Sequence, residues 1–201
     1  MTRQKEYDQA KTKEATLRAF WLSGYDGTSL ADLELATGLD RRQLYNAAGS
    51  KRALFLGALE DFGRQAAKRF LRHLECGEGG VESIRQTLEE LVSAVDEPNG
   101  QLGCLICNTA RERIAEDPEI AAVIRTYFRR IERAYRTALE RAATDGDVSD
   151  GSAIRSRSRY LLGIHVSLCV LARAGEGRAL LEDIAYEAIR SLSGLRAEKM
   201  S

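Results

Sequence analysis

Long apolar runs are missing from this sequence of 201 residues. None approaches the roughly 18 residues that a membrane-spanning helix needs, and no apolar core of a secretory signal precedes the first helical segment. The sequence therefore predicts a cytoplasmic protein that has no contact with a membrane. Because the cytoplasm is reducing, we expect the four cysteines to be free thiols rather than disulfides.

Net charge is absent as well, because 30 Lys and Arg residues balance 30 Asp and Glu residues. Without a global positive field, a protein lacks the long-range attraction on which nonspecific, charge-driven nucleic-acid binders depend. Zero net charge therefore argues against a nonspecific binder, whereas a protein that reads specific DNA sites needs only a small local patch of positive charge. Such a patch is present at Arg41, Arg42, Lys51 and Arg52.

Histidine is scarce, and the residue patterns of most enzyme classes are missing. The two histidines, His73 and His165, lie far apart in the sequence. No second cysteine pair stands at zinc-ligand spacing from Cys104 and Cys107. A nucleophile elbow, a phosphate-binding loop and a convincing acid–base pair are also lacking. We therefore expect no catalytic activity, no metal and no cofactor.

Apolar residues recur at helical spacing along the sequence, and strand signals are missing. The pattern predicts an all-α protein of about nine helices. Asp117 and Pro118 form a strong N-cap and first-turn pair, which predicts the start of a long helix. Other helices are predicted from Lys51 to about Leu74 and over the ranges 81–94, 102–115, 152–174 and 178–195.

Residues 28–55 carry the signals of two short helices joined by a tight turn. Thr28 or Ser29 is placed to cap the first helix. Gly38 is placed to end it, because glycine adopts the left-handed backbone conformation that other residues resist. Asp40 is placed to cap the second helix. This is the arrangement that presents one helix to the major groove of DNA.

The second helix of this pair carries donor-rich side chains around Leu44, which is its natural inward anchor. Arg and Gln bond base edges with two hydrogen bonds, and Tyr or Asn bonds bases or phosphates. Lys51, together with the N-terminal amides of the next helix, is placed to hold a phosphate. An ordinary helical hairpin has the same spacing, so the spacing alone leaves both interpretations open. The candidate DNA-contacting residues of this helix are Arg41, Arg42, Gln43, Tyr45 and Asn46.

A pattern over many positions extends through the first quarter of the sequence. Its residues are Ala19-Phe20, Gly24-Tyr25, Thr28-Ser29-Leu30, Asp32-Leu33, Ala36, Gly38-Leu39, Leu44-Tyr45, Gly49-Ser50-Lys51 and Leu54-Phe55. This pattern resembles the TetR family of transcriptional regulators. The resemblance implies a homodimeric repressor whose helix-turn-helix domain, residues 1–50, binds double-stranded operator DNA. Thr28 and Ser29 are then expected to contact the DNA in addition to the residues of the second helix. Residues 51–201 would then form a larger helical domain for ligand binding and dimerisation.

A different function remains open beside this one, namely a helical protein-interaction adaptor that retains the motif without specific DNA binding. A gel-shift experiment separates the two functions. A repressor should shift DNA of one particular sequence, whereas an adaptor should show no sequence-selective shift.

The helix from Ala153 to Ala174 is apolar around most of its circumference, so it must be covered on all sides. It is either a central core helix or part of a two-fold contact. In the second case it forms a four-helix bundle with the final helix and their two symmetry mates. The family resemblance favours the dimer. The predicted interface residues are Leu161, Ile164, Leu168, Leu171, Ile184, Ala188 and Leu192.

Cys104 and Cys107 stand in a Gly-Cys-Leu and Asn-Thr-Ala element at positions 103–110. This element resembles the start of the sixth helix in a subgroup of TetR-like regulators, some of which respond to electrophiles or oxidants and others to small organic molecules. In a first helical turn Cys104 would have a lowered thiol pKa. Cys107 could then convert a sulfenic acid to a disulfide. Packing as small apolar side chains is the alternative for both, and packing is expected for Cys169.

Ligand control is implied chiefly by the resemblance. Side chains of the fourth to eighth helices are expected to line a cavity for an unknown small-molecule effector or a reactive electrophile, although each fits a filled core equally well. Effector binding or modification of Cys104 would shift the sixth helix and swing the fourth. The separation of two recognition helices would then change. The predicted lining residues are Phe62, Tyr127, Phe128 and His165.

Overall fold

The computed structural model describes residues 9–146 and 153–193, and in these ranges it contains α-helices and short 3-10 turns without any strand. The all-α prediction is confirmed, with ten α-helices among the described residues where periodicity predicts about nine for the whole chain. The predicted helix ends near residues 152 and 195 lie outside the described residues. The helices are α1 (Gln9–Gly27), α2 (Leu30–Thr37), α3 (Arg41–Ala48), α4 (Lys51–Phe70), α5 (Arg72–Cys76), α6 (Gly80–Ser93), α7 (Leu105–Thr109), α8 (Pro118–Thr144), α9 (Ile154–Arg173) and α10 (Arg178–Ser193).

The first four helices pack around a cluster of aromatic and aliphatic side chains. Phe20 of α1 and Phe55 of α4 are fully buried, and their ring centroids lie 5.0 Å apart in edge-to-face contact. Leu33 of α2 and Leu44 of α3 are fully buried too. Each short helix is therefore anchored by one leucine, and the role predicted for Leu44 is confirmed.

The helix predicted from Lys51 to about Leu74 is divided in two. α4 ends at Phe70 and α5 begins at Arg72, with Leu71 between them. Both Leu71 and Leu74 are fully buried. The chain therefore bends at this point so that both leucines enter the core, which a continuous stripe of apolar residues does not reveal.

The longest helix, α8, has 27 residues and begins where the sequence predicts. The Asp117 carboxylate accepts hydrogen bonds from the backbone N–H groups of Glu119 and Ile120 at 3.0 and 3.3 Å. Pro118 occupies the first turn, where its missing N–H is not needed. α8 packs against α6 and α9, and α10 packs against the same two helices.

Most of the helix predicted over 102–115 does not form. Gly103 has a φ of +64°, which turns the chain before α7, and α7 itself comprises only Leu105–Thr109. A 3-10 turn at Arg113–Glu116 follows it. Cys104 therefore precedes the helix, in an extended backbone conformation with φ −102° and ψ 120°. Its predicted place in a first helical turn is wrong.

One hydrophobic cluster extends from the helix-turn-helix segment into the larger C-terminal part. α1 and α4 join the two parts, because both contact each other and α7, and α4 also contacts α8. A shift of α7 would therefore act on α1 and α4 directly. In the described part of the chain, no helix combines the length and apolarity needed to cross a bilayer.

Candidate DNA-recognition surface and regulatory cavity

Reciprocal side-chain caps begin both helices of the turn. At α2, the Asp32 N–H donates to Ser29 Oγ at 3.1 Å, and the Ser29 N–H donates to the Asp32 carboxylate at 2.7 Å. Asp40 and Gln43 form the same pair at α3, at 2.8 and 2.9 Å. Gly38 ends α2 with φ 69° and ψ 11°, so the predicted left-handed stop and the predicted Asp40 cap are confirmed. Hydrogen bonds from Ser29 also lower the pKa of the Asp32 carboxyl.

The outer face of α3 carries the predicted donors. Leu44 packs into the core on the inner face of α3, whereas 42% of the Tyr45 surface is exposed. Gln43 is exposed but its side-chain oxygen accepts the cap hydrogen bond from the Asp40 N–H, so only its amide N–H groups are left to donate to a ligand. All of the predicted side chains of this helix are exposed, namely Arg41, Arg42, Gln43, Tyr45 and Asn46.

Thr28 is not part of this surface. Its side chain is 1% exposed, and its hydroxyl donates to the Gly24 carbonyl oxygen at 2.7 Å. The prediction that Thr28 contacts DNA is therefore corrected, because a buried hydroxyl that ties α2 to α1 cannot reach a phosphate. Ser29 is exposed and caps α2, so it is the accessible member of the pair.

Lys51 and Arg52 have different surroundings at the start of α4. Lys51 Nζ lies 4.4 Å from the centroid of the Tyr25 ring, which holds the ammonium close to the helix N-terminus. Arg52 turns toward α8, where it donates to Asp117 at 2.7 and 2.6 Å and to Glu119 at 2.5 Å. The guanidinium lowers the pKa of Asp117 to about 2. Arg52 therefore joins α4 to α8 instead of extending the basic patch.

A cavity of about 330 Å³ lies between α1, α4, α6 and α9 beside the loop that precedes α7. Apolar side chains such as Leu17, Trp21 and Phe70 form much of its wall. Its polar residues include Arg69 and Glu97, which form a bidentate ion pair. An apolar wall with a few placed polar groups is typical of small-molecule sites.

Four of the predicted sensing residues line this cavity, and two do not. Phe128 is half-buried outside the lining, with its ring centroid 6.2 Å from that of Tyr127. Cys107 is buried next to the cavity but does not line it. The predicted residues in the wall are Phe62, Cys104, Tyr127 and His165.

Three cysteines cluster beside the cavity, although the sequence pattern links only two, and two of the three line its wall. Cys104 and Cys107 are each 5% exposed, and Cys169 is half-buried. Burial raises the pKa of the Cys104 thiol, but hydrogen bonds from the thiols of Cys107 and Cys169 outweigh burial and hold that pKa well below its ordinary value. The hydrogen bond to Cys104 raises the pKa of both donors. Cys104 is therefore the thiol of this cluster that ionises most readily.

Cys169 is the residue that sequence reasoning assigned to packing. It follows His165 by four positions on α9, so their side chains share one helix face, and both line the cavity with Cys104. The four-residue spacing between His165 and Cys169 is the feature of the sequence that could have identified Cys169 as a residue of the cavity wall. Within residues 9–146 and 153–193, no group of three His, Cys, Asp or Glu residues is arranged to hold a metal ion.

His165 contributes an uncharged ring to the cavity wall. It is 1% exposed, and its Nδ1 shares a hydrogen bond with the Tyr135 hydroxyl at 3.2 Å. Burial lowers the pKa of His165 to about 4. Burial also raises the pKa of Tyr135. Both groups are therefore neutral at pH 7.

Two long-range hydrogen bonds connect the α7 region to α1. Trp21 Nε1 donates to the Gly103 carbonyl oxygen at 3.1 Å, and the Tyr25 N–H donates to the Glu112 carboxylate at 2.7 Å. Gly24 has a φ of +72°, and a Cβ there would lie 2.9 Å from both Glu112 carboxylate oxygens. Since Trp21 also lines the cavity, one side chain joins the cavity wall to the helix-turn-helix region.

The predicted dimer residues fall into two groups. One group is buried within the single chain, where it forms the core between α9, α10 and their neighbours. A side chain with 0–2% exposure has no surface to offer a partner, so the interface role of these residues is corrected to intramolecular packing. They are Leu161, Leu168, Ala188 and Leu192.

The other group lies on the outer side of the same helices. Ile164, Leu171 and Ile184 are half-buried in the single chain. Tyr160 and Tyr186 are 46% and 61% exposed on the same two helices. α9 is therefore not covered on all sides by its own chain.

The comparisons with known proteins agree with this geometry. The family model described as bacterial regulatory proteins, tetR family, matches residues 14–58. The uncharacterized HTH-type transcriptional regulator YezE of Bacillus subtilis (strain 168) is 34% identical over 186 residues, which span 91% of this chain and 95% of that protein. The HTH-type transcriptional repressor ComR of Escherichia coli (strain K12) is 25% identical over 189 residues, which span 94% and 90%.

A solved structure has the same fold. It is a cysteine mutant of the TetR family transcriptional regulator CifR, complexed with 26-bp double-strand operator DNA. The match has a TM-score of 0.85 at 24% identity, and it covers 94% of this chain and 99% of that chain. At this identity the likeness establishes the shared architecture.

Proposed function

Because this chain belongs to the TetR family of bacterial transcriptional regulators, we propose that it is a homodimeric repressor of a near-palindromic operator in double-stranded DNA. A small molecule or a cysteine modification in the cavity releases it from the DNA. The observation that carries the proposal is the exposed donor face of α3, which Leu44 anchors from below.

In this proposal α3 enters the major groove and its N-terminal residues contact base edges. The guanidinium groups of Arg41 and Arg42 bond guanine edges or phosphates. Ser29 and Lys51, at the N-terminal ends of α2 and α4, contact backbone phosphates, where helix amides also favour an anion. The complex of CifR with operator DNA supports this placement. Further contacts come from Gln43, Tyr45 and Asn46.

Dimerisation supplies a second set of contacts. The chain has a formal net charge of zero, so one copy has little general attraction for DNA. Two copies that read half-sites about 34–36 Å apart double the specific contacts. We assign the two-fold face to the outer side of α9 and α10, where Tyr160, Ile164, Leu171, Ile184 and Tyr186 retain exposed surface.

The cavity is the proposed site of effector action. Its apolar wall favours an organic compound of low polarity, and the readily ionised thiol of Cys104 favours an electrophile or an oxidant. An effector changes DNA binding only if it binds one conformation better than the other. We infer that the preferred conformation is one in which the loop before α7 has moved away from α1.

We propose that the movement passes from the cavity region to the helix-turn-helix region through the contacts that join these two parts of the chain. Displacing Gly103 breaks its hydrogen bond to Trp21, and displacing Glu112 removes the acceptor of the Tyr25 N–H. Arg52 and Asp117 link α4 to α8 in the same way. We propose that α1 and α4 move together and change the separation of the two α3 helices in the dimer.

Selection from random double-stranded DNA tests the proposal. The wild-type protein should enrich a near-palindromic sequence and bind it as a dimer. Arg42→Ala should lower the affinity for the selected site roughly 5- to 150-fold for each subunit, because each half-site loses one base contact. Lys51→Ala should reduce the steepness of the salt dependence by about 1 for each subunit, because a phosphate contact is lost.

Arg85→Ala is the matched control. Arg85 lies on α6, where its ion pairs with described residues stay within the same helix, at Glu82 and Glu89. Its replacement should leave both affinity and salt dependence unchanged. If no sequence is enriched at any salt concentration, the proposal fails and the adaptor interpretation takes its place.

A further inference from the structure

The cavity wall contains two thiols from distant parts of the chain. Cys104 precedes α7 and Cys169 belongs to α9, and both line the cavity. Cys107 hydrogen-bonds to Cys104 but does not line the cavity. The CxxC spacing therefore suggests the pair Cys104 and Cys107, whereas a reactant in the cavity contacts Cys104 and Cys169.

Backbone packing brings Cys104 to Cys169. A Cβ at Gly103 would lie 2.5 Å from the carbonyl oxygen of Cys169 and 3.0 Å from the Cβ of Arg173. Gly103 also has a φ of +64°, so both its conformation and the close approach require glycine. The loop that carries Cys104 therefore rests directly on the α9 backbone at Cys169.

We propose that Cys104 and Cys169 form an intramolecular disulfide in response to a hydroperoxide in the cavity. Cys107 hydrogen-bonds to the reactive sulfur without joining the disulfide. The inference rests on the proposed function only for its consequence, which is release of DNA, because the bond itself forms within one chain.

The reaction has two steps. The Cys104 thiolate attacks the terminal oxygen of the hydroperoxide, the O–O bond breaks, and the leaving alkoxide takes up the proton that Cys104 has released. Cys104 is then a sulfenic acid. The sulfur of Cys169 attacks the Cys104 sulfur, the S–O bond breaks, and the hydroxyl leaves as water with the thiol proton of Cys169. Two thiols have lost two electrons, and the peroxide has become an alcohol and water.

Position relative to the cavity favours Cys169 over Cys107 as the second thiol. Cys169 lines the cavity together with Cys104, whereas Cys107 does not line it. A disulfide requires its two Cβ atoms to approach to about 3.5–4.5 Å, and the loop that carries Cys104 already rests on the α9 backbone at Cys169.

Oxidation of Cys104 also activates Cys169. The hydrogen bond to the Cys104 sulfur and the charge on that sulfur raise the pKa of the Cys169 thiol. Burial raises that pKa as well, and the hydrogen bond with Cys107 lowers it. The charge on Cys104 is lost when Cys104 becomes a neutral sulfenic acid, so this one obstacle to ionisation of the Cys169 thiol is removed by the first step.

Peptide mapping under non-reducing conditions tests the pairing. The full chain carries Cys76→Ser, because Cys76 is exposed and would crosslink molecules, and it is treated with cumene hydroperoxide. Mass spectrometry should find a disulfide between Cys104 and Cys169 both in this variant and in a variant that carries Cys107→Ser in addition. Cys169→Ser should lower the disulfide yield at least tenfold, and a dimedone adduct of Cys104 should accumulate instead. Cys169→Ala repeats the test with a second side chain.

Fluorescence provides an independent readout. Trp21 is the single tryptophan of the chain, and it lines the cavity and bonds Gly103. Peroxide should change its emission in the wild type and in Cys107→Ser, and dithiothreitol should reverse the change. The change should be absent in Cys169→Ser.

A Cys104–Cys107 disulfide as the main product, or an unchanged response of Cys169→Ser, would overturn the inference. DNA release is measured separately. If the mapped disulfide forms without release of DNA, the pairing stands and redox control of the repressor fails. If the protein binds no DNA at all, the proposed function fails while the mapping result still stands.

Discussion

The α2–α3 segment and the cavity are built by the chain in different ways. The caps that begin α2 and α3 join residues only three positions apart, as in Ser29 with Asp32 and Asp40 with Gln43. The cavity region depends on distant partners, and its hydrogen bond from Trp21 to Gly103 spans 82 positions. A local surface of this kind is readable from a sequence, whereas a cavity requires the packed structure.

The polar side chains of the two regions also differ in their exposure to solvent. Arg41 and Arg42 are exposed and ready for an external ligand. His165 and Cys104 are buried, and burial together with neighbouring donors alters their pKa values. Substitutions on α3 should therefore act locally, whereas substitutions at the cavity should act through the packing of several helices.

The largest expected effect tests whether α3 depends on one anchor. Leu44→Ala removes the fully buried side chain of α3 and should lower the free energy of unfolding by about 2–5 kcal/mol. Sequence-selective DNA binding should be lost with it. Urea unfolding followed by circular dichroism measures the first effect, and a gel shift measures the second.

Leu35→Ala is the control for this experiment, because Leu35 on neighbouring α2 is 87% exposed. It should change stability by no more than about 0.5 kcal/mol. Equal losses in both variants would show that Leu44 has no special anchoring role.

A pair of glycine substitutions compares the two regions directly. Gly38 and Gly103 both have positive φ, but a Cβ at Gly38 meets nothing within 4 Å, whereas one at Gly103 meets the Cys169 carbonyl oxygen at 2.5 Å. Gly38→Ala should therefore cost only backbone strain, about 1 kcal/mol. Gly103→Ala should cost about 2–4 kcal/mol, because strain and backbone displacement add. Urea unfolding ranks the two, and similar costs would contradict the close packing of the α7 loop on α9.

A third prediction concerns the pH dependence of stability. The pKa of His165 is about 4 in the folded protein, below the unfolded value of about 6.5. Between these two values the unfolded chain binds more protons, so stability falls as pH falls from about 6.5 to about 4. The loss between pH 7 and pH 5 should be about 2 kcal/mol.

His165→Gln should remove this contribution from the pH dependence of urea unfolding. His73→Gln is the matched control, since His73 is only partly buried and lies beside Glu90, away from the cavity lining. It should leave the His165 contribution in place. A pH dependence that survives His165→Gln would assign the effect to another group.

Sequence patterns identified the caps and stops of the first part because those interactions are local. Gly38, Asp40 and Leu44 have the predicted roles. Thr28 is wrongly predicted to contact DNA, because two adjacent hydroxyl residues both suit an N-cap and only the packing of Thr28 against α1 separates them. The helix predicted over 102–115 is wrong because apolar spacing does not register a turn imposed by packing against α9.

The interface prediction shows the same limit. An apolar stripe is buried for the same hydrophobic reason whether its partner belongs to the same chain or to another. Leu161 and Leu168 therefore looked the same in the sequence as Ile164 and Leu171, although only the last two retain exposed surface.

The amino-acid sequence alone determined the helical class, the boundaries of α2 and α3 and the outward donors of α3, because each depends on neighbours a few residues away. Only the tertiary structure decided that Cys169, and not Cys107, lines the cavity together with Cys104. That pairing depends on a glycine that lets a loop approach another helix, and such an approach is set by packing between distant segments and not by spacing along the chain.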